Sequence, residues 1–124
     1  MKLLLDAHVV VWWLRDDNQL KAEARKAIVT ADIVWVSAAT AMEIAVKASR
    51  RQLRLPEPLA VTIATDDFAE LPLTIKHAER LAILPLHHGD PFDRVLIAQA
   101  LVEGATVVTH DRAFEAYGVP VIWT

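Results

Sequence analysis

Apolar residues along the chain alternate between two rhythms. Short unbroken runs at residues 2–5 and 33–36 read as strands buried on both faces. Residues 106–109 and 119–123 have the same character, and 71–74 supply a fifth candidate. Between these runs the spacing turns helical. The stretch 7–14 follows the first strand, and 20–30 places Leu20, Ala24, Ala27 and Ile28 on one face. Ser37 suits the N-cap of a helix over 38–51, and Thr74 that of one over 75–84, while 59–68 and 112–117 are shorter. Asp90, Pro91 and Gly104 bracket a helix that runs to Glu103. There is no repeat, linker or low-complexity tract, so residues 1–124 are expected to form one domain. The alternation predicts an α/β fold, a mostly parallel central sheet between two helical layers. In such folds the functional crevice lies beyond the carboxyl ends of the strands.

Carboxylates gather at that edge. Asp6 directly follows the first strand, and Asp111 stands two residues beyond 106–109. Asp90 and Asp93 open the helix leading into that strand, and Glu43 falls in the second turn after 33–36. Each acid has a plainer use. Asp6, Asp90 and Asp111 suit N-caps, Asp90 most naturally. Glu43 is no cap, and its alternative is an i,i+4 pair with Lys47. Jointly they point elsewhere. Two carboxylates about 4 Å apart repel by about 4 kcal/mol at an effective dielectric of about 20, so the cluster calls for protons or cations.

Composition narrows the cation. The chain has no cysteine, which excludes a disulfide framework, a thiolate zinc site and a cysteine nucleophile. Oxygen donors alone favour Mg²⁺ or Mn²⁺, and such ions suit phosphodiester hydrolysis. At 54% hydrophobic and 23% charged residues the chain is not disordered. Thirteen Lys and Arg against sixteen Asp and Glu leave a net charge of −3, so nucleic acid would be held by a local basic patch. The apolar run 9–14 is far too short to span a membrane. Asp6, His8 and Arg15 break any signal-peptide core, so a cytoplasmic protein is expected.

The segments Leu3-Leu4-Leu5-Asp6, Ser37-Ala38-Ala39 with Glu43-Ile44, Asp90-Pro91-Phe92-Asp93-Arg94 through Ala100, and Thr109-His110-Asp111 resemble a PIN-domain protein. The likeness extends to Tyr117 and Ile122-Trp123, and it points to the VapC-type toxins of bacterial type II toxin–antitoxin pairs. It implies a three-layer PIN-like fold and a metal-dependent endoribonuclease with Asp6, Glu43, Asp93 and Asp111 as its acidic quartet. Asp6 and Asp93 would ligate the metal directly. Glu43 and Asp111 would ligate through water, orient the nucleophile or complete a second metal site, with Thr109 and Asp90 in support. The resemblance also implies a cognate antitoxin and a homodimer. Two departures stand out. Ala7 replaces the Thr or Ser usual in relatives, and Met42 and Arg51 replace a Trp and a Gly. They bear on metal affinity and loop shape.

An acidic hydrolase must still hold a polyanion. Lys47, Arg50, Arg51 and Arg54 form a basic run without acids, open to a reading as RNA contacts or as a solvated face. Arg94 and Arg112, beside the acids, are expected to meet phosphate. His87, His88 and His110 read as loop features rather than ligands. Trp12, Trp13, Trp35 and Trp123 suit packing better than base stacking, and the apolar stretch 9–14 suits a dimer interface or an antitoxin groove. Two other readings stay open. A receiver-like phosphotransfer domain also clusters acids at strand ends, although Ala7 and the lack of lysine after Lys76 argue against it. A non-catalytic binding module with this fold is the other.

Overall fold

The computed structural model describes residues 1–124. Lys2–Leu5 (β1), Ile33–Ser37 (β2), Ala69–Leu71 (β3), Thr106–Thr109 (β4) and Val121–Trp123 (β5) form one sheet in the order β3-β2-β1-β4-β5. Every neighbouring pair is parallel. The helices are Ala7–Leu14 (α1), Ala22–Thr30 (α2), Ala38–Ser49 (α3), Leu59–Thr65 (α4), Ile75–Ala82 (α5) and Pro91–Glu103 (α6), with a 3₁₀ helix at Arg112–Tyr117. A receiver-like sheet would run 2-1-3-4-5. Here β1 lies between β2 and β4, which removes that alternative.

The pleat divides the core in two. Leu3, Leu5, Val34, Val36 and Val108 face α1, α2 and α3, whereas Leu4 and Val107 face α6 and Phe114. Burying each such Leu contributes about 1.5–3 kcal/mol, so both helical layers are held by strands apolar on both faces. The stretch 9–14 packs mostly inward. Val9, Val10, Val11 and Trp12 are buried in this chain's own core, as a helix apolar around its circumference should be. Trp13 is half-buried, and its indole Nε1 donates to Asp66 at 2.8 Å.

The strand expected at 71–74 lies earlier. Pro72 cannot donate to a ladder, and Thr74 is taken by the N-cap of α5, where its hydroxyl and the His77 ring form a reciprocal box. Helix α6 is fixed at both ends. Asp90 accepts from Phe92 N at 2.9 Å and Asp93 N at 3.2 Å, Pro91 follows, and Gly104 ends the helix at φ 68°. Gln99, fully buried, receives the Ser37 hydroxyl at 2.6 Å and donates to Pro72 O at 3.3 Å. That pairing sets the α6 register, and with it the height of Asp93, against β2. No helix is long and apolar enough to cross a membrane.

Candidate metal centre

From β1 the chain steps outward through β2 and β3, then returns to the other side for β4 and β5. The crevice between the carboxyl ends of β1 and β4 is therefore the switch point where α/β sheets bind ligands. Asp6 sits there, buried, as the N-cap of α1. It accepts from Val9 N at 3.0 Å through Oδ1 and from the Thr109 hydroxyl through Oδ2. Thr109 closes β4, and its Oγ1 in turn accepts from Asp111 N at 3.0 Å. Asp111 caps the 3₁₀ helix through Ala113 N at 2.9 Å. The capping use and the clustered use of these acids thus coexist, because a carboxylate oxygen holding one backbone N–H keeps a further lone pair.

Asp93, in the first turn of α6, and Glu43, in the middle of α3, complete the group. Asp93 is 19% exposed. Burial first, then the charges of Asp90, Asp111, Asp6 and Glu43, push its carboxyl from the ordinary 3.8 up to about 7. Asp6 is also raised, because its burial outweighs the hydrogen bonds from Thr109 and Val9. The charges of four other carboxylates thus reach Asp93, and each of them disfavours its ionised form. An all-oxygen set short of positive charge fits a hard divalent cation. At the rim stand two imidazoles that the sequence reading set aside or overlooked. Ligand atoms of Asp6, His8 and His110 all lie within 4.8 Å of one another. The cue was in the spacing, since His8 and His110 each lie within two residues of an acid.

The basic residues divide. Lys47 Nζ bonds Glu43 Oε2 at 2.9 Å, so the i,i+4 pair forms beside the cluster rather than instead of it. Arg50 and Arg51 are exposed just beyond α3, and Arg51 adopts φ 57°, the left-handed geometry that a glycine would take without strain. Arg112 is exposed and stacks on the Trp123 ring at 4.1 Å. Arg94 is engaged within the fold. Its guanidinium donates to Pro85 O at 2.8 Å, Leu84 O at 3.4 Å and Tyr117 OH at 3.1 Å, which ties it to the preceding loop and to the end of the 3₁₀ helix. Arg94→Ala should therefore lower unfolding free energy by about 2 kcal/mol, read from the denaturant midpoint. An unchanged midpoint would return Arg94 to the phosphate role.

The family model described as PIN domain matches residues 3–120. Ribonuclease VapC22 of Mycobacterium tuberculosis is 31% identical over 121 residues, 95% of this chain and 93% of the relative. Among solved structures, VapBC2 from Rickettsia felis bound to a promoter DNA fragment superposes with TM-score 0.78 at 13% identity, covering 98% of each chain. Mycobacterium tuberculosis VapC20, a sarcin-ricin loop cleaving toxin, gives 0.67 at 16% identity over 98% of this chain and 99% of that one.

Proposed function

The chain belongs to the PIN domain family, and from that premise we propose how its acid cluster works. The protein is a nuclease, a metal-dependent endoribonuclease that acts as the toxin of a toxin–antitoxin pair, with residues 1–124 as its single domain. The observation that carries this reading is that Asp6, Glu43 and Asp111, placed by β1, α3 and the end of β4, all act on the Asp93 carboxyl and help raise it to about 7.

Asp6 and Asp93 would hold the ion, with Glu43 and Asp111 completing the set directly or through water. Mg²⁺ or Mn²⁺ suits these donors. When bound, such a cation lowers the pKa of water and stabilises charge on the leaving oxygen of a phosphodiester. The chain's own part is geometric. Val9 N and Thr109 fix the Asp6 carboxylate, and the Asp90 cap fixes the turn that carries Asp93. Asp90 and Thr109 are in this sense supporting residues. The test is to sequence the RNA ends produced by purified protein with Mg²⁺ or Mn²⁺. Ends that appear without added metal, or equally with a variant lacking Asp93, would overturn it.

RNA would enter over Lys47, Arg50, Arg51 and Arg112, the basic residues still facing outward beside the acids. Each phosphate contact in a single strand contributes about −0.7 to the slope of log affinity against log salt. Arg50→Gln with Arg51→Gln should flatten that slope by about 1.4 if both make contact. An unaltered slope would make the run a solvated face.

Partners follow from surfaces. A cleft of about 300 Å³ beside Glu43 is lined by Ala7, Val11, Trp12, Ile44 and Leu53 together with Arg15 and Lys47, and an antitoxin segment with apolar side chains suits it. A groove of about 330 Å³ lined by Ala38, Met42, Leu73, Pro91, Phe92 and Val95 is almost wholly apolar, with Met42 58% exposed, and supports a homodimer. The cytoplasm is the compartment proposed. A non-catalytic module is the weaker reading, because all four acids are present.

A further inference from the structure

Behind Asp93 lies a polar cluster that the reading above does not use. Tyr117 ends the 3₁₀ helix, and three groups converge on its hydroxyl. The His88 backbone N–H donates to it at 3.2 Å, and Arg94 Nη1 donates at 3.1 Å. His88 Nδ1 lies 2.8 Å away. A phenol oxygen has two lone pairs and one proton. Both lone pairs are filled by N–H donors, so the proton goes to His88 Nδ1. Nδ1 is therefore an acceptor, and in the neutral ring the proton sits on Nε2. That nitrogen is buried without a hydrogen-bond partner. It faces Asp93, with Nε2 3.5 Å from Oδ2, beyond the usual N–H···O range of about 2.7–3.2 Å.

A buried N–H without a partner costs about 1–3 kcal/mol, and such groups are rare outside sites with a function. The arrangement is also over-determined. Arg94 is held by Leu84 O and Pro85 O, and Tyr117 is held by Arg94, so the ring of His88 can neither flip nor exchange tautomers without breaking a bond. Asp93, by contrast, receives no hydrogen bond on its carboxylate, although Asp6, Asp90 and Asp111 each accept at least one backbone N–H. A single donor and a single unheld carboxylate thus face each other across half an ångström of slack.

We propose that His88 is a positioning residue for the metal centre: its Nε2–H, aimed by Tyr117 and Arg94, orients the Asp93 carboxylate toward the other acids. The inference rests on the reading of Asp93 as a metal ligand. Hydrogen-bonded partners behind a ligand set its orientation, and losing one typically costs about 10–100-fold in metal affinity.

The probe is Mn²⁺ alone, titrated into purified protein by calorimetry, with the metal-free melting temperature recorded for every variant. His88→Ala should weaken Mn²⁺ binding by about tenfold or more. His88→Gln, whose amide can present an N–H near the position of Nε2, should recover most of that loss. Tyr117→Phe frees the ring and should weaken binding in the same direction. A purely packing role would lower the melting temperature of His88→Ala with Mn²⁺ affinity unchanged, and that result overturns the proposal. Should His88→Ala not fold, the other two variants decide: parental affinity in Tyr117→Phe together with lost affinity in His88→Gln overturns it. Asp93→Asn separates the premises. If Asp93→Asn binds Mn²⁺ like the parent, the metal centre itself falls. If it loses Mn²⁺ while His88→Ala keeps it, only the role of His88 falls.

Discussion

Replacing Asp93 by Asn is expected to lower RNA cleavage by at least about 100-fold and to leave the fold standing. Asp93 is the most informative of the acids because its carboxylate accepts no hydrogen bond within the fold, so the variant removes a charge and little else. Its backbone stays pinned by Asp90, whose Oδ1 receives the Asp93 N–H at 3.2 Å. Asp6→Asn should silence cleavage too, but it places an amide where the Thr109 hydroxyl donates and so disturbs the β1–β4 seam as well. The measurement is the cleavage rate of an RNA substrate with saturating Mn²⁺, beside a thermal scan of each variant. Asp93→Asn cleaving at the parental rate would place the chemistry elsewhere in the molecule.

The convergence of these acids was legible before any coordinates. A residue within two positions of the end of a buried strand stands at the sheet's carboxyl edge, so Asp6 and Asp111 could be placed from the apolar runs alone. Pro91 and Gly104 bracket α6 by backbone restriction, and Ser37 and Thr74 were caps by chemistry. Three matters were hidden for identifiable reasons. The apolar circumference of α1 told of burial but not by what, and the answer was the chain's own core. Arg94 stood beside the acids in sequence, yet carbonyls at Leu84 and Pro85 claimed it, because a half-buried guanidinium seeks whatever acceptors its loop leaves open. His88 lies five residues from Asp93 in a loop, and only the fold brings Tyr117 to its ring. Gln99 belongs to the block that carried the resemblance, but its side chain holds Ser37 and Pro72 and so positions the helix rather than a ligand.

Metal-free protein should lose stability as pH rises from about 4 to about 7, opposite to what a salt-bridged carboxylate gives. The sign follows from the shift. Asp93 is raised from 3.8 to about 7, so between those values the folded chain binds a proton that the unfolded chain has released. Its contribution is therefore greatest at low pH, falls as pH rises toward about 7, and levels off above. Solvent screening at this half-buried carboxyl trims the size of the effect but not its sign. Asp6 is raised as well and acts in the same direction. A divalent cation replaces the proton as the neutralising charge, so added Mn²⁺ should stabilise more at about pH 8, above the value of about 7 at which Asp93 releases its proton, than at about pH 5, where it must displace that proton. Asp93→Asn should flatten the pH dependence and, at about pH 8 without metal, melt higher than the parent, because it relieves repulsion among the remaining carboxylates. Calorimetric scans of both proteins in EDTA and in Mn²⁺ across that range test each part. Parallel pH profiles for parent and variant would mean that Asp93 does not carry the strain assigned to it.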